Sequence, residues 1–370
     1  MRSYSEGVSG SAGASSAGAL VLSINPGSTS TKLGLFDGEK AVFKENLSHG
    51  AEELAQYSTC FEQLGFRKKA VLSFLESNGV ALKNLAAVIG RGGVLKPLGA
   101  GTYRVNEKMI ADLGRPREDH PSNLGGIIAY EIAKTVGVPA YIADPVSVDE
   151  FTEVARLSGL KEIERRALGH ALNVRATAFK YTHDHKRRLD EINLVVAHLG
   201  GGISIVPFKR GKMVDVNCAN DMGPFSPERT AGLPVTPLIR LCFQSGKSEK
   251  EMVAWVTKKA GLISYLGTND LREVKRRIAA GDEKAKLVFE AMCYQIAKEI
   301  GAMATVLKGD LEAIVLTGGL AFDEDLVAEL KERVGWIAPL AVYPGEEELE
   351  ALNSAVLRLL SGEEAEKEYS

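Results

Sequence analysis

The residues best equipped for chemistry are three glycine-rich turns and two arginines set among glycines or prolines. Asn25-Pro26-Gly27-Ser28-Thr29-Ser30-Thr31-Lys32 offers several hydroxyls and one ammonium on a turn between strands, and Gly27 lets a ligand approach the main chain. His198-Leu199-Gly200-Gly201-Gly202-Ile203-Ser204 leaves consecutive backbone amides uncovered. Thr317-Gly318-Gly319-Leu320 closes a strand and opens a helix, whose N-terminus favours anions or sugar hydroxyls. Any one such turn is more often structural than functional. A triple glycine, however, weakens a strand unless something needs the space. Two of these turns at equivalent points of a repeat, with a third after a strand, point to a polyphosphate ligand.

Other nucleotide motifs are excluded. Gly246-Lys247-Ser248 looks like the end of a P-loop, but Leu241 stands where that motif requires glycine. No GxGxxG opens a helix, so a dinucleotide fold has no support.

Arg91 lies in Gly90-Arg91-Gly92-Gly93, where the glycines are read as uncovering a guanidinium fork suited to carboxylate or phosphate. Arg229 ends the loop Asn220-Asp221-Met222-Gly223-Pro224-Phe225-Ser226-Pro227-Glu228-Arg229, which two prolines stiffen. Alone, either is more often a surface ion-pair partner. Asp144 follows the strand Ala140–Ala143, and strand C-termini in open α/β sheets are where ligands bind. Of the histidines, His198 at the mouth of the triple-glycine turn and His170 before a helix are the candidates. His49 and His120 fall in polar loops, and His183 and His185 in a charged, solvated run. No His/Cys/Asp cluster has transition-metal spacing, and magnesium carried by phosphate needs only one or two protein oxygens.

The elements that must position these residues repeat. Leu20–Ile24, Lys32–Phe36 and Ala41–Leu47 read as three strands, followed by a helix around Phe61–Glu76. The same grammar returns at Asn193–His198, Ile203–Phe208 and Met213–Cys218, with helices after it. Two β-β-β-α openings imply an internal duplication. Shorter strands (Ala86–Ile89, Ala140–Ala143, Ala313–Leu316) and amphipathic helices (Ser122–Val136, Asp282–Leu307, Glu346–Leu360) complete two three-layer α/β domains with a cleft between them. Thr182–Glu191 reads as a surface crossing between the halves.

The bulk properties agree. The 370 residues carry 45% hydrophobic and 25% charged content, enough for two cores. The net charge of −3, with both signs interspersed, argues against a nucleic-acid partner. Cys60, Cys218, Cys242 and Cys293 form no CxxC pair, so neither a disulfide framework nor zinc is expected, and a cytoplasmic location fits. No apolar run suggests a membrane span. Residues 1–20, rich in Gly, Ser and Ala, are expected to be a flexible tail or linker.

At these residues the sequence resembles the acetokinase family, and within it the butyrate-directed branch. The resemblance covers Val21 to Leu360 and is carried by INPGSTSTK (24–32), GRGG (90–93), AHLGGGIS (197–204), NDMGPFSPERT (220–230) and VLTGGLA (315–321). It implies two duplicated actin-like (ribonuclease H-like) domains, each a mixed five-stranded sheet flanked by helices. Residues 21–170 would form the acid and phosphoryl side, and 171–361 the nucleotide side. The last helix would pack back toward the first domain, and 362–370 would be a polar tail. The implied activity is reversible phosphoryl transfer from ATP to the carboxylate of a short-chain fatty acid, with Mg²⁺ and ADP, in a homo-oligomer. Acetate, propionate or branched acids are alternative substrates. A nucleotide-driven binding protein of the Hsp70 or actin kind is the reading from another class.

The resemblance further implies that Asn25, Ser28, Thr29, Ser30 and Lys32 form the first phosphate loop, and His198, Gly200, Gly201, Gly202 and Ser204 the second. Asp270, Leu271, Arg272, Gly318 and Gly319 would hold base and ribose. Arg91, Asp144, Arg229 and His170 would surround the phosphoryl group and the acid, with Asp144 orienting Arg229 or a metal-bound water. Asn25 and Glu347 would place the metal, the run Glu346-Glu347-Glu348 leaving the register open by one. Acetate kinases carry a second histidine just after the position of His170, where this chain reads Ala171-Leu172-Asn173-Val174.

Overall fold

The computed structural model describes residues 20–115 and 118–370; the expected N-terminal tail, apart from Leu20, lies outside the described residues. The strands are β1 (Leu20–Pro26), β2 (Ser30–Asp37), β3 (Lys40–Ser48), β4 (Leu85–Arg91), β5 (Thr102–Arg104), β6 (Ala140–Ala143), β7 (Leu157–Leu160) and β8 (Ile163–Glu164). They continue with β9 (Asn193–Leu199), β10 (Ile203–Lys209), β11 (Lys212–Met213), β12 (Ala313–Gly318), β13 (Leu340–Pro344) and β14 (Lys367–Glu368). The helices that cover them include α1 (Leu64–Ser77), α2 (Asn123–Val136), α3 (Ala171–Asp184), α4 (Val235–Gln244), α5 (Glu283–Val306), α6 (Glu324–Val334) and α7 (Glu348–Ser361).

The duplication is visible in the strand order. The first sheet runs β14-β5-β6-β4-β1-β2-β3 and the second β11-β10-β9-β12-β13. In each, an antiparallel three-strand meander is followed by two parallel strands on the other side of its first member. The expected five-stranded unit is therefore present in both sheets. β5 and β14 extend the first to seven strands.

Central strands buried on both faces read as continuous apolar runs. Leu22 and Ile24 of β1 point into one core with Phe74 of α1 and Leu124 and Ile128 of α2. Val21 points the other way, onto Leu352, Ala355 and Val356 of α7. In β9, Val195 and Ala197 meet Met292 and Ile296 of α5, while Leu194 and Val196 meet Val174 and Ala178 of α3. Helices α3 and α7, which also touch each other, thus lie between the two sheets.

Three expectations are corrected. The third strand of the second half is only Lys212–Met213; beyond it Asn217 takes over the ladder, accepting from Ile205 N at 2.7 Å and donating to Ile203 O at 3.0 Å. The Thr182–Glu191 run is partly helical, since α3 continues to Asp184 and a short 3-10 turn, Leu189–Glu191, leads into β9. Residues 362–370 are no tail: Lys367 and Glu368 pair with Tyr103 and Arg104, and Tyr369 is buried. The GKS run is structural, because Ser248 and Glu251 form a capping box on the helix Glu249–Lys258.

Candidate active site

The first loop is held from behind. Arg67, fully buried on α1, donates to Ser30 O at 2.8 Å and Ser28 O at 3.4 Å, and to Thr31 Oγ1 at 3.0 Å. Its carbonyls are thereby engaged, and the Ser28 and Thr29 side chains face solvent. Nothing in the local sequence around Ser28 announces this arginine, which comes from a helix that reads as ordinary packing.

The second loop is built by close approach. A Cβ on Gly202 would lie 2.7 Å from the Arg229 guanidinium, and one on Gly200 would lie 2.7 Å from Glu346 Oε1. Gly201 is open, with the Glu228 carboxylate 3.6 Å from where its Cβ would be. Ser226 Oγ donates to Gly201 O at 2.5 Å and accepts from Arg229 N at 3.1 Å, so loop 220–229 is stitched to the triple glycine. Arg229 donates to Asn220 Oδ1 at 2.7 Å.

His198 and His170 stack, with ring centroids 4.0 Å apart. His198 Nδ1 meets Asn173 Oδ1 at 2.8 Å, and its Nε2 lies 3.2 Å from Glu346 Oε1. His170 Nδ1 meets Ser204 Oγ at 2.9 Å. Burial, then His198, Arg229 and Arg91, hold the His170 pKa well below its ordinary value.

The two halves meet at Glu348, the first residue of α7. Asn25 Nδ2 donates to its Oε2 at 2.6 Å, Lys32 Nζ lies 3.2 Å from the same oxygen, and Arg91 pairs with its Oε1. Burial works against its charge, but Arg91 and Lys32 outweigh it and keep the carboxyl below its ordinary range. Glu347, the expected metal ligand, points away instead and lies 4.0 Å from Lys180. Of this acidic run it is Glu348 that meets Asn25, Lys32 and Arg91. Glu347 lines a cavity of about 570 Å³ between α3 and α7, bounded also by Asn173, Lys180 and Arg358. That cavity includes neither Arg91, Arg229, Gly27 nor Gly200–Gly202.

Other expected residues are placed differently. Asp144 does not orient Arg229; its carboxylate accepts from Gly101 N at 2.7 Å and pairs with Arg175 at 3.1 Å, fully buried. Gly90 and Gly93 serve packing more than exposure of Arg91, since Cβ atoms there would meet Gly125 O at 2.0 Å and Asn123 Cα at 2.5 Å. They let the start of α2 lie against the end of β4. Asp270 caps the helix Leu271–Ala279 and binds its own Arg272 at 2.9 Å, while Leu271 is a core residue. Gly318 has φ 91° and a Cβ there would lie 2.3 Å from Leu199 O, whereas Gly319 faces open space.

His120 is a residue the sequence reading passed over. Its pKa is lowered by desolvation of the ring and then by the Arg91 charge. Ser122 N donates to its Nδ1 at 3.2 Å, so the neutral ring carries its proton on Nε2.

The acetokinase family profile matches residues 173–342. "Probable butyrate kinase 2" of Caldanaerobacter subterraneus subsp. tengcongensis is 49% identical over 350 residues, covering 94% of this chain and 99% of that protein. The chain belongs to the acetokinase family. Butyrate kinase 1 of Clostridium acetobutylicum is 48% identical over 351 residues, with 94% and 99% of the two chains covered. Among solved structures, the acetate kinase of Porphyromonas gingivalis superposes with a TM-score of 0.77 at 19% identity, covering 92% of this chain and all of that one. The acetate kinase of Entamoeba histolytica gives a TM-score of 0.73 at 18% identity over 90% of this chain and 98% of its own. The acetokinase fold, with its paired actin-like halves, is that of this chain.

Among the described residues, no three His, Cys, Asp or Glu side chains are grouped to hold a metal by themselves. Glu348 and Asn25 bring one carboxylate and one amide group together in the same place.

Proposed function

We propose that the chain transfers the γ-phosphoryl group of ATP to the carboxylate of butyrate, giving ADP and butyryl phosphate, reversibly. A carboxylate oxygen attacks phosphorus in line, a new O–P bond forms, and the bond to the β-phosphate oxygen breaks. A carboxylate is already nucleophilic at neutral pH, so no general base is required. The task is to bring anions together and neutralise them by positioning and electrostatics.

The observation that carries this reading is the meeting of Arg91, Lys32 and Asn25 on one carboxylate, Glu348. The arrangement suits oxyanions, and in the other half Arg229 lies against the Gly200–Gly202 loop. In this reading Arg91 takes the acid, Arg229 the moving phosphoryl group, and the Ser28–Ser30 and Gly200–Gly202 loops the nucleotide phosphates. His170, neutral in its buried setting, acts as a hydrogen-bonding group and not as a charge. Magnesium, held through Glu348 and Asn25, neutralises charge on the phosphates when bound.

Two further assignments belong here. α4 has no buried residue, and Val235, Ile239, Leu241 and Phe243 are all exposed on or beside it, which suits a subunit contact in a homo-oligomer. Among the described residues no helix is long and apolar enough to cross a membrane, and a cytoplasmic site of action is proposed from the unpaired cysteines.

Trapping with hydroxylamine tests the reaction. Butyrate, Mg-ATP and the protein should yield butyrohydroxamate in step with ADP. ADP release without hydroxamate would mean that ATP is hydrolysed and the acid is not the acceptor.

A further inference from the structure

The C-terminal residues and α3 share a buried charge cluster that the reaction above does not use. Arg175, on α3, pairs with Asp144 at 3.1 Å and with Glu364 at 3.1 Å. Arg358, on α7, holds the other oxygen of Glu364 at 3.0 Å. Both guanidiniums cover the ring of Phe179, at 4.8 and 4.1 Å from its centroid. Beyond Glu364 the chain stays attached to the first half. Tyr141 OH donates to Glu366 at 2.9 Å, β14 extends the first sheet, and Tyr369 OH donates to Asp112 at 2.8 Å.

Burying four charges is a poor way to gain stability, because desolvation offsets most of the attraction. Geometry gives the cluster a different use. Asp144 is followed by Pro145, on which Gly92 packs so closely that a Cβ there would lie 2.4 Å from the Pro145 Cβ; Arg91 is the next residue back. Arg175 lies two residues beyond Asn173, the partner of His198, on the helix that His170 opens. The Asp144–Arg175 pair is thus a pin between the Arg91 side and the histidine side of the site. Glu364 locks the pin from the C-terminal strap, and Gly362, at φ 75°, turns the chain into position after α7.

We propose that Arg175 and Glu364 are positioning residues for phosphoryl transfer, and that the C-terminal strap sets catalysis by fixing α3, hence His170 and Asn173, relative to Arg91. This rests on the site assignment made above. Misplacement of about 1 Å at a reacting centre costs on the order of 100-fold, so release of the strap should appear in kcat.

The test compares Glu364→Gln, Arg175→Lys and Tyr369→Phe in the full-length protein. Glu364→Gln should lower kcat about tenfold or more while the KM for ATP changes by less than about twofold. Arg175→Lys, which keeps a charge, should retain more kcat than Arg175→Ala. Tyr369→Phe removes the distal anchor without touching Arg175 and should keep wild-type kcat, so a general loss of stability is separated from a positioning effect. A chain ending at Ser361 should lose kcat, and the peptide of residues 362–370 added in trans should restore part of it. If the truncated chain fails to fold, Glu364→Gln decides. Wild-type kcat in Glu364→Gln would overturn the proposal, as would equal kcat losses in Glu364→Gln and Tyr369→Phe. Wild-type kcat in Arg229→Ala would instead overturn the site assignment on which it rests.

Discussion

Asn25 Nδ2 donates to Glu348 Oε2 at 2.6 Å, joining the first strand of the chain to the first turn of its last long helix. Lys32 and Arg91 share that carboxylate, so one acidic side chain holds together the parts of the first half that face the cleft. Removing its charge should disturb all three. Glu348→Gln is expected to lower kcat by at least about 100-fold, comparable with losing one preorganised electrostatic group, and to weaken the dependence of ATP binding on magnesium. Glu347→Gln should be near wild type. Steady-state kinetics with a magnesium titration distinguishes them, and equal damage from both would return the register to an open question.

The triple glycine makes a second contrast. A methyl group on Gly202 would collide with the Arg229 guanidinium at 2.7 Å, whereas at Gly201 its nearest neighbours are at ordinary contact distance. Gly202→Ala should therefore cost far more kcat than Gly201→Ala, roughly 10²-fold against a few-fold, because it shifts the arginine proposed to meet the phosphoryl group. Similar losses in the two variants would mean that the amides matter and the arginine contact does not.

How much of this was legible beforehand depended on whether a feature is local. The two meanders around Ser28–Ser30 and Gly200–Gly202 carry their strand periods and turns within a few residues, and both are in place but for the shortened third strand of the second. The Glu346–Glu348 register was not legible, because successive helical residues point about 100° apart and three identical side chains do not reveal where α7 begins. Gly90 and Gly93 were read as exposing Arg91, since their real reason, Gly125 and Asn123 of α2, lies thirty or more residues away. Asp144 was read as a site residue from its place at a strand end. Its partner Arg175 sits on another element, and the strap that completes the cluster is a polar run with no periodicity of its own. Arg67 escaped for the same reason.

Arg229 offers a planar fork beside the Gly200–Gly202 loop. Arg229→Lys keeps the charge and loses the fork, so kcat should fall roughly 10²- to 10³-fold while the Kd for ATP stays nearly constant. Isothermal calorimetry and saturating kinetics measure the two separately. Retention of most of the wild-type kcat would show that a point charge suffices. Loss of ATP binding with turnover intact would move Arg229 to the nucleotide site.

The half-buried His170 predicts a pH dependence of stability. The unfolded chain binds a proton at His170 near its ordinary value of 6.5, whereas the folded chain, through burial and nearby His198, Arg229 and Arg91, does not. This contribution to stability is fully present above that value and is lost as pH falls from it toward the folded value. His120 and His49 act in the same sense. Tm should fall from about pH 7.5 to about pH 5.5, and His170→Gln should remove part of the slope. An unchanged slope in His170→Gln would show that this ring is not held neutral.

The most direct test of the central claim is the ratio of kcat/KM for butyrate and acetate under saturating Mg-ATP. Butyrate carries two more methylenes, each worth about 0.8 kcal/mol when buried, which together give a ratio of roughly 15. A ratio of that order, with acyl phosphate formed from the acid itself, is the predicted result. Equal or higher kcat/KM for acetate would contradict the butyrate assignment.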